Sequence, residues 1–344
     1  MNALTVGALH TDASGSNYNI GNRKDIMTYS PMVSPVSRFG LGYRRSVKPD
    51  VLLNGGRQLY MQDMFNNSDF VINKSLMAPG QKVAYPVRQG NLDSVAYTRG
   101  TSNATALATR TAILTYENLI KLSETHADNG SFPDTSMAVL IKTLLVHGAG
   151  WGSIKPILEE NLKKKSDYFR DRVAPRFIGY GGVDASRIFD CTAQRATLIG
   201  YGELTKDKTH IYRVPLPPSL SSKKLWRRLT ITLGWLTPIN PNDQKYRRAH
   251  LSFAPPAKEL VIKRTDVDDD AVKRGTIQHE ILEGDKATPF VDGTDLVIEI
   301  SCREDAGGLL GNIPYGIAVS LEVKEGVNVE VYQEIKTRIR PRIR

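Results

Sequence analysis

The sequence is poor in the features that mark secreted, membrane-bound and metal-binding proteins. It has only two cysteines, Cys191 and Cys302, which lie far apart and form no CxxC pattern. We therefore expect neither a disulfide framework nor a zinc site, and we expect a cytoplasmic protein. No stretch approaches the roughly 20 apolar residues that span a bilayer. Residues 1–12 also lack the basic start and the apolar core of a signal peptide.

Acidic residues are fewer than basic ones: 36 Asp and Glu stand against 46 Lys and Arg, which gives the 344 residues a formal net charge of +10. The basic residues cluster at Lys223–Arg228, at Lys245–Arg248 and in the tail Lys336–Arg344. No recognisable nucleic-acid-binding module accompanies them, so we expect no nucleic-acid partner. We interpret the clusters as solvated strand faces and a frayed tail. The alternative is a basic surface that docks onto an acidic partner.

The length predicts two domains, because a single core rarely extends beyond about 250–300 residues. We place the boundary between residues 1–190 and residues 191–344. The first part alternates strand-like runs at residues 3–9 and 47–53 with helical stretches, which predicts an α/β fold with a parallel sheet. The predicted helices are Ala104–Glu124, Asp134–Ala149 and Gly152–Asp171.

The second part consists of short runs rich in β-branched residues, separated by Gly, Pro, Asn or Asp. This spacing predicts an antiparallel β-sandwich with a basic tail. The predicted strands cover residues 196–204, 210–217, 227–236, 249–253, 259–264, 276–284, 296–302, 316–325 and 329–335.

The stretch GTSNATALATR, Gly100–Arg110, places a serine at the start of a predicted helix. One interpretation is that Ser102 only caps the helix. The other is that Ser102 is a nucleophile, with backbone N–H groups and the helix dipole beside the developing oxyanion. We expect Ser102 to combine both roles. The small residues Ala104, Ala106 and Ala108 should let this helix pack tightly in a buried position.

Five segments in the same order resemble the subtilisin-like serine peptidases, or subtilases. They are Leu4–Leu9, Ser34–Gly40, Lys48–Gly56, Gly100–Ala108 and Gly179–Arg187. The resemblance implies a serine endopeptidase that acts on a peptide or protein substrate without a cofactor or metal. It also implies that Ser102 is the nucleophile and that the backbone of Gly100, Thr101 and Ser102 lines the oxyanion and substrate site. Two prolines of the family pattern are replaced, by Asn54 and Ala106.

The second half resembles a narrower group, the large bacterial cytoplasmic subtilases that are encoded beside an AAA-type ATPase and associated with phage defence. The resemblance rests on stretches such as RFIGYGGVD and WRRLTITLGWLTPINPNDQKYRRA. It implies a β domain at the C-terminal end that is not itself catalytic.

In the subtilase pattern the catalytic Asp, the catalytic His and the oxyanion Asn all precede the segment that Leu4–Leu9 matches. We therefore expect this chain to be the C-terminal part of a truncated or split peptidase, completed by an upstream-encoded half. Loss of the catalytic His alone lowers kcat about 10⁶-fold in subtilisin, so we expect the chain alone to be inactive. We also expect residues 1–190 alone to be marginally stable. The alternative function is a non-catalytic module that docks an acidic partner or the ATPase.

Local residues offer poor replacements for the missing base and carboxylate. His10 and Asp12 lie in LHTDASG, which we interpret as a loop after a strand. We interpret His147 as a buried or capping histidine and His126 as part of a polar turn. The remaining histidines alternate with apolar residues as strand-face residues, namely His210, His250 and His279.

Two polar stretches resemble metal sites without matching them. The pair His279-Glu280 lacks the second His of an HExxH zinc motif. The acidic stretch Asp266–Arg274 lacks the spacing of a calcium-binding loop. We interpret that stretch as a solvated turn leading into a short helix.

Overall fold

The computed structural model describes residues 1–12, 22–27, 31–63, 65, 69–85, 92–125, 132–162 and 168–339. The strands of the first half are β1 (Val6–Leu9), β2 (Arg23–Lys24), β3 (Val51–Asn54), β4 (Tyr60–Gln62), β5 (Phe70–Ile72), β6 (Gln81–Ala84), β7 (Val95–Thr98), β8 (Ala149–Gly150) and β9 (Gly182–Val183). Its helices are α1 (Thr101–Thr125), α2 (Asp134–His147), α3 (Ile154–Asn161), α4 (Ala174–Ile178) and α5 (Ser186–Phe189).

A small parallel sheet organises this half, as the strand–helix alternation predicts. Its strand order is β1-β3-β9-β8, with β1, β3 and β9 parallel and β8 antiparallel to β9. Strand β1 lies at one edge of this sheet. Its outer side is contacted by residues 32–37, through an N–H of His10 to the Met32 carbonyl and of Ser34 to the Ala8 carbonyl, both 2.8 Å.

Helices α1 and α2 lie where the sequence predicts them, but the predicted helix Gly152–Asp171 is wrong as a single element. Helix α3 covers only part of that range, and a π-helical turn at Phe169–Val173 leads into α4. The turn brings the buried Phe169 edge-to-face onto the buried Trp151, with ring centroids 6.3 Å apart. Tertiary packing of these two rings therefore overrides the local helical preference.

The second half contains two antiparallel sheets, with strand orders β10-β17-β12-β15-β14 and β11-β16-β13. Side chains from both sheets meet in one hydrophobic core. The strands are β10 (Arg195–Leu204), β11 (Thr209–Pro215), β12 (Arg227–Trp235), β13 (Ala249–Ser252), β14 (Lys263–Arg264), β15 (Ile277–Gly284), β16 (Asp295–Glu304) and β17 (Ile313–Val323), with helices α6 (Asp269–Val272) and α7 (Val331–Arg338).

The strand predicted at residues 329–335 is wrong, because most of it lies in helix α7. Val331 and Ile335 are both buried. Their spacing of four places both side chains on one helix face, toward the core. Val329 is also buried. The alternation of Val329 and Val331 therefore also fits the two-residue period of a strand, which explains the wrong prediction.

The basic clusters are only partly solvated, which corrects the expectation of solvated strand faces. Arg227 is fully buried and Arg247 is 7% exposed. Burial lowers the pKa of both guanidinium groups. In the tail, Arg338 of α7 pairs with Asp292, and residues 340–344 lie outside the described part of the chain.

Helix α2 joins the two halves by packing on the five-stranded sheet. Gly234 of β12 and Gly316 of β17 are paired across that sheet. A Cβ atom on Gly234 would overlap Thr143 of α2, and one on Gly316 would lie 3.1 Å from Leu140. The paired glycines thus form a depression that admits the helix. Among the helices that the structure describes, none has the length and apolar composition of a membrane span.

The Ile231→Ala substitution should lower the free energy of unfolding by about 2–5 kcal/mol, because Ile231 is fully buried in the central strand β12. The matched control is Ile211→Ala in β11, where the side chain is 56% exposed. We expect the control to cost less than about 1 kcal/mol. Urea unfolding of both variants measures the difference, and equal losses would contradict this account of the core.

Candidate active site

Ser102 is the second residue of helix α1, and its side chain is exposed. The chain enters the helix at Gly100, whose φ of +151° favours glycine. The Asn103 N–H donates to the Gly100 carbonyl at 3.2 Å, so the helix begins without help from the serine hydroxyl. The expectation that Ser102 also caps the helix is therefore wrong. No described residue hydrogen-bonds its hydroxyl, which leaves that group available.

Gly55 holds this turn in place from the end of β3. Its carbonyl accepts hydrogen bonds from the Gly100 N–H at 2.9 Å and from Asn103 Nδ2 at 3.2 Å. Its own N–H donates to the Leu9 carbonyl at the end of β1, at 3.0 Å. A side chain at Gly55 would overlap Ala8. Two parallel strands and the start of α1 therefore meet at one glycine.

Arg99 secures the other side of the same turn, and sequence reasoning missed it. Its guanidinium donates to the backbone carbonyls of Arg57, Ser75, Met77 and Pro79. Burial lowers the pKa of this arginine. The position directly before Gly100 was its only sequence signal. Asn103 was missed as well, although its Oδ1 also accepts a hydrogen bond from Thr98 Oγ1 at 3.0 Å.

Helix α1 is anchored by one face. The residues of that face are Ala104, Ala108, Thr111, Thr115 and Leu119, all buried. Ala106 is exposed, so the expected burial holds for Ala104 and Ala108 and is wrong for Ala106. The residues fit a helical stripe, on which Ala106 lies toward the opposite side.

The start of α1 provides an electropositive environment for the Ser102 hydroxyl. The N–H groups of Thr101 and Ser102 lie in the first turn, where a helix offers them no carbonyl acceptor. The aligned peptide dipoles of this 25-residue helix add a partial positive charge at the same end. The arrangement suits an oxygen atom on which negative charge develops.

His10 lies past the end of β1 but is committed to other partners. Its Nδ1 accepts the N–H of Gln58 at 3.3 Å, so the proton is on Nε2, which donates to Asp25 at 2.9 Å. The side chain is 1% exposed. Asp12 is tied to Arg57, whose N–H donates to its carboxylate at 2.8 Å. Neither residue is thus arranged to activate Ser102.

His147 and His279 belong to a buried chain of hydrogen bonds between α2 and the five-stranded sheet. His279 Nε2 donates to the Ala149 carbonyl at 3.2 Å, so its Nδ1 accepts from Thr232 Oγ1 at 2.7 Å. Thr232 in turn accepts from His147 Nδ1 at 2.9 Å, and His147 Nε2 accepts from Ser320 Oγ at 2.6 Å. Burial lowers the pKa of both imidazoles, that of His279 to about 4. Both rings are neutral structural groups.

The other two described histidines, His210 and His250, are also hydrogen-bonded to neighbouring side chains. His210 Nδ1 meets Tyr315 Oη at 2.6 Å, and His250 Nδ1 accepts from Arg303 Nε at 2.9 Å. His126 lies outside the described residues. The described side chains form no cluster that could hold a metal ion.

The acidic stretch Asp266–Arg274 leads into a short helix, α6, as expected, but it is only partly solvated: Asp270 is exposed, whereas the start of the stretch is buried. Asp266 is buried, accepts the N–H of Trp151 at 3.0 Å and lies 3.7 Å from Lys155. Burial raises the pKa of this carboxyl group. The start of the stretch therefore packs the two halves together instead of facing water.

Comparison with known families gives the same assignment as the five sequence segments. The profile of the subtilase family matches residues 1–181, which is more than half of the chain. The chain belongs to the subtilase family. Its first half is thus a serine-peptidase-like domain, with the parallel sheet and the Ser102 turn inside the matched range. A comparison with curated proteins gives no match.

The Gly55→Ala substitution should displace the Ser102 turn of this subtilase, because the new methyl group would overlap Ala8. We expect the free energy of unfolding to fall by about 1–3 kcal/mol. The control is Gly275→Ala, where a Cβ would meet nothing closer than 3.7 Å. Urea unfolding compares the two variants. A neutral Gly55→Ala variant would show that the turn is not held as described.

The neutral histidine chain predicts that stability falls as the pH falls below about 6.5. An unfolded histidine takes up its proton near pH 6.5, whereas folded His279 does so only near pH 4. The unfolded state therefore binds more protons across this interval, and His279 alone should lower the free energy of unfolding by about 3 kcal/mol.

Urea unfolding between pH 8 and pH 4 measures this dependence. The double variant His147→Gln/His279→Gln is the control, since its amides cannot titrate and should make the curve less steep over pH 4–6.5. The slope that remains belongs to other groups, among them His250, whose pKa burial lowers to about 3. An equally steep curve in the double variant would assign the pH dependence to other groups.

Proposed function

We propose that this subtilase is the nucleophile-bearing part of a serine endopeptidase and that Ser102 is the nucleophile. The observation that carries the proposal is the exposed, unbonded Ser102 hydroxyl at the start of a long helix, in a turn fixed by Gly55, Arg99 and Asn103. Gly100, Thr101 and Ser102 supply the backbone that faces the substrate carbonyl.

The reaction is acyl transfer to the serine. Ser102 Oγ attacks the peptide carbonyl carbon as a base removes the hydroxyl proton, and the carbonyl oxygen becomes an oxyanion. The N–H groups of the first turn of α1 stabilise this negative charge. Collapse of the intermediate breaks the C–N bond, and the protonated base gives its proton to the leaving amine. Water then hydrolyses the acyl-serine by the same steps.

The base and its orienting carboxylate come from residues outside this chain. This part of the proposal is supported by His10, His147 and His279, whose two ring nitrogens are each already hydrogen-bonded. His210 and His250 lie in the second half, on β11 and β13. An upstream-encoded peptidase segment with an Asp, a His and an oxyanion Asn would complete the site.

We further propose that residues 191–344 form an accessory β-sandwich domain without a catalytic role. The shared core of the two antiparallel sheets supports this proposal. The domain stabilises the peptidase part through α2, and its basic surface offers a place for an acidic partner or an AAA-type ATPase.

The second candidate function is a non-catalytic binding module. It is favoured by the hydrogen bonds that occupy both ring nitrogens of His10, His147 and His279, because these histidines are then not arranged to act as a base. In this case the Ser102 turn would be a remnant that serves recognition, and peptide binding would survive the Ser102→Ala substitution.

The test is covalent labelling of Ser102 by a fluorophosphonate probe. Protein purified from its native cells, with any partner segment, should be labelled at Ser102, whereas residues 1–344 alone should not react. The Ser102→Ala substitution should abolish labelling and lower peptidase kcat by about 10⁶-fold. Mass spectrometry of the labelled peptide identifies the site.

The matched control is Ser301→Ala, at an exposed serine of β16, which should leave labelling and peptidase activity unchanged. Persistent labelling of the Ser102→Ala variant would refute the assignment of the nucleophile. Absence of labelling in the native material, with peptide binding retained, would favour the binding module.

A further inference from the structure

A basic cleft of about 470 Å³ is lined by residues from both halves of the chain, none of which belongs to the Ser102 turn. Five arginines and two lysines line it, with a single acidic residue, Asp305. The basic residues are Arg44, Arg45, Lys245, Arg247, Lys273, Arg274 and Arg303. A cleft of this size suits a small ligand.

The positive charge in this cleft is only partly neutralised. Asp305 pairs with Arg247 at 2.7 Å and with Lys245 at 3.6 Å. Asp269 pairs with Lys273, and Asp171 pairs with Arg274 at 2.6 Å. Asp171 and Asp269 also pair with Arg172 and Arg264, which do not line the cleft. Seven cationic side chains against these three carboxylates therefore leave an excess of at least four positive charges.

Two nitrogen-bearing groups in the cleft are prepared for an acceptor that the described chain does not supply. Arg274 Nη1 is buried and has no hydrogen-bond partner among the described residues. Arg303 uses Nε for His250 and has no carboxylate partner in the described part of the chain. At Arg274 a buried donor without a partner is costly, which favours a ligand that accepts hydrogen bonds. Arg303 is exposed and can donate to the same ligand.

Arg44 and Arg45, which line the cleft, have a strained backbone. Both residues have left-handed conformations, with φ of 54° and 63°, which non-glycine residues adopt rarely. The turn is held because Tyr43 Oη donates to the Gln244 carbonyl at 3.1 Å and its ring lies 4.9 Å from that of Tyr246. Strain of this kind concentrates at functional sites, and here it places two exposed arginines at the cleft.

We propose that this cleft binds a compact polyphosphate anion, either an inorganic polyphosphate or the triphosphate of a nucleotide. A triphosphate carries about four negative charges, which matches the excess in the cleft. Guanidinium groups donate paired hydrogen bonds to phosphate oxygens. An acidic peptide would spread the same charge over four residues, about 13 Å of extended chain, which suits an open surface better than this cleft.

The test is isothermal titration of the full chain with inorganic triphosphate, with ATP and with adenosine, at constant ionic strength. We expect both triphosphates to bind at one site and adenosine not to bind. Tighter binding of ATP would identify a nucleotide, and equal or tighter binding of inorganic triphosphate would identify free polyphosphate. Affinity should fall as salt rises, because the contacts are charged.

The double substitution Arg44→Ala/Arg45→Ala should weaken triphosphate binding by about tenfold or more. Both side chains are exposed, so folding should persist; Lys245→Ala provides a second, independent loss. The charge-matched control is Arg213→Ala/Lys263→Ala, at exposed positions outside the cleft. The Ser102→Ala variant should bind normally, so failure of the peptidase proposal would leave this result unaffected.

Two results would overturn the proposal. One is the absence of triphosphate binding, including the case in which a glutamate-rich peptide binds instead. The other is an equal loss of affinity in the cleft variant and in the control variant, which would show that binding follows net charge alone.

Discussion

The packing of helix α2 on the five-stranded sheet is the contact on which the rest of the structure depends. The paired glycines Gly234 and Gly316 let the helix approach closely, and the buried histidines fix its position through hydrogen bonds. Lys142 adds a buried amino group whose Nζ donates to Thr276 Oγ1 at 2.7 Å, and burial lowers its pKa to about 7. Because α2 also packs against α1 in a shared apolar cluster, the sheet of the second half supports the helix that carries Ser102.

The candidate site itself is built largely from backbone. Gly55 and Gly100 bring two strand ends and a helix start within hydrogen-bonding distance. A side chain at Gly55 would overlap Ala8, and the positive φ of Gly100 disfavours any other residue. Arg99 and Asn103 then fix the turn by donating to carbonyls. Such a site needs few special side chains on this part of the chain, because the start of any helix provides N–H groups that can stabilise negative charge.

Much of this organisation was predictable from the sequence. The glycines around Ser102, the apolar spacing of α1 and α2 and the β-branched runs each followed one clear local pattern. The errors arose where tertiary contacts decide. The run at residues 329–335 fits both the strand period and the helix period, and the helix forms because it buries Val331 and Ile335 together. Arg227 and Arg247 were expected at the surface because they are charged, but they are buried. Arg99 was missed because its role depends on carbonyls distant in sequence.

The environments of the buried histidines show why they are poorly suited to act as a general base for Ser102. A general base is most effective when its pKa lies near the working pH and when one nitrogen faces the hydroxyl. His279 meets neither condition, since its pKa is about 4 and both of its nitrogens are bonded. Freeing a ring nitrogen of His279 would break its hydrogen bond to Thr232 or to the Ala149 carbonyl and so interrupt the buried chain of hydrogen bonds beside α2. The contacts that hold α2 on the sheet therefore occupy both ring nitrogens of His147 and of His279, so neither of these buried histidines is arranged to act as a base for Ser102.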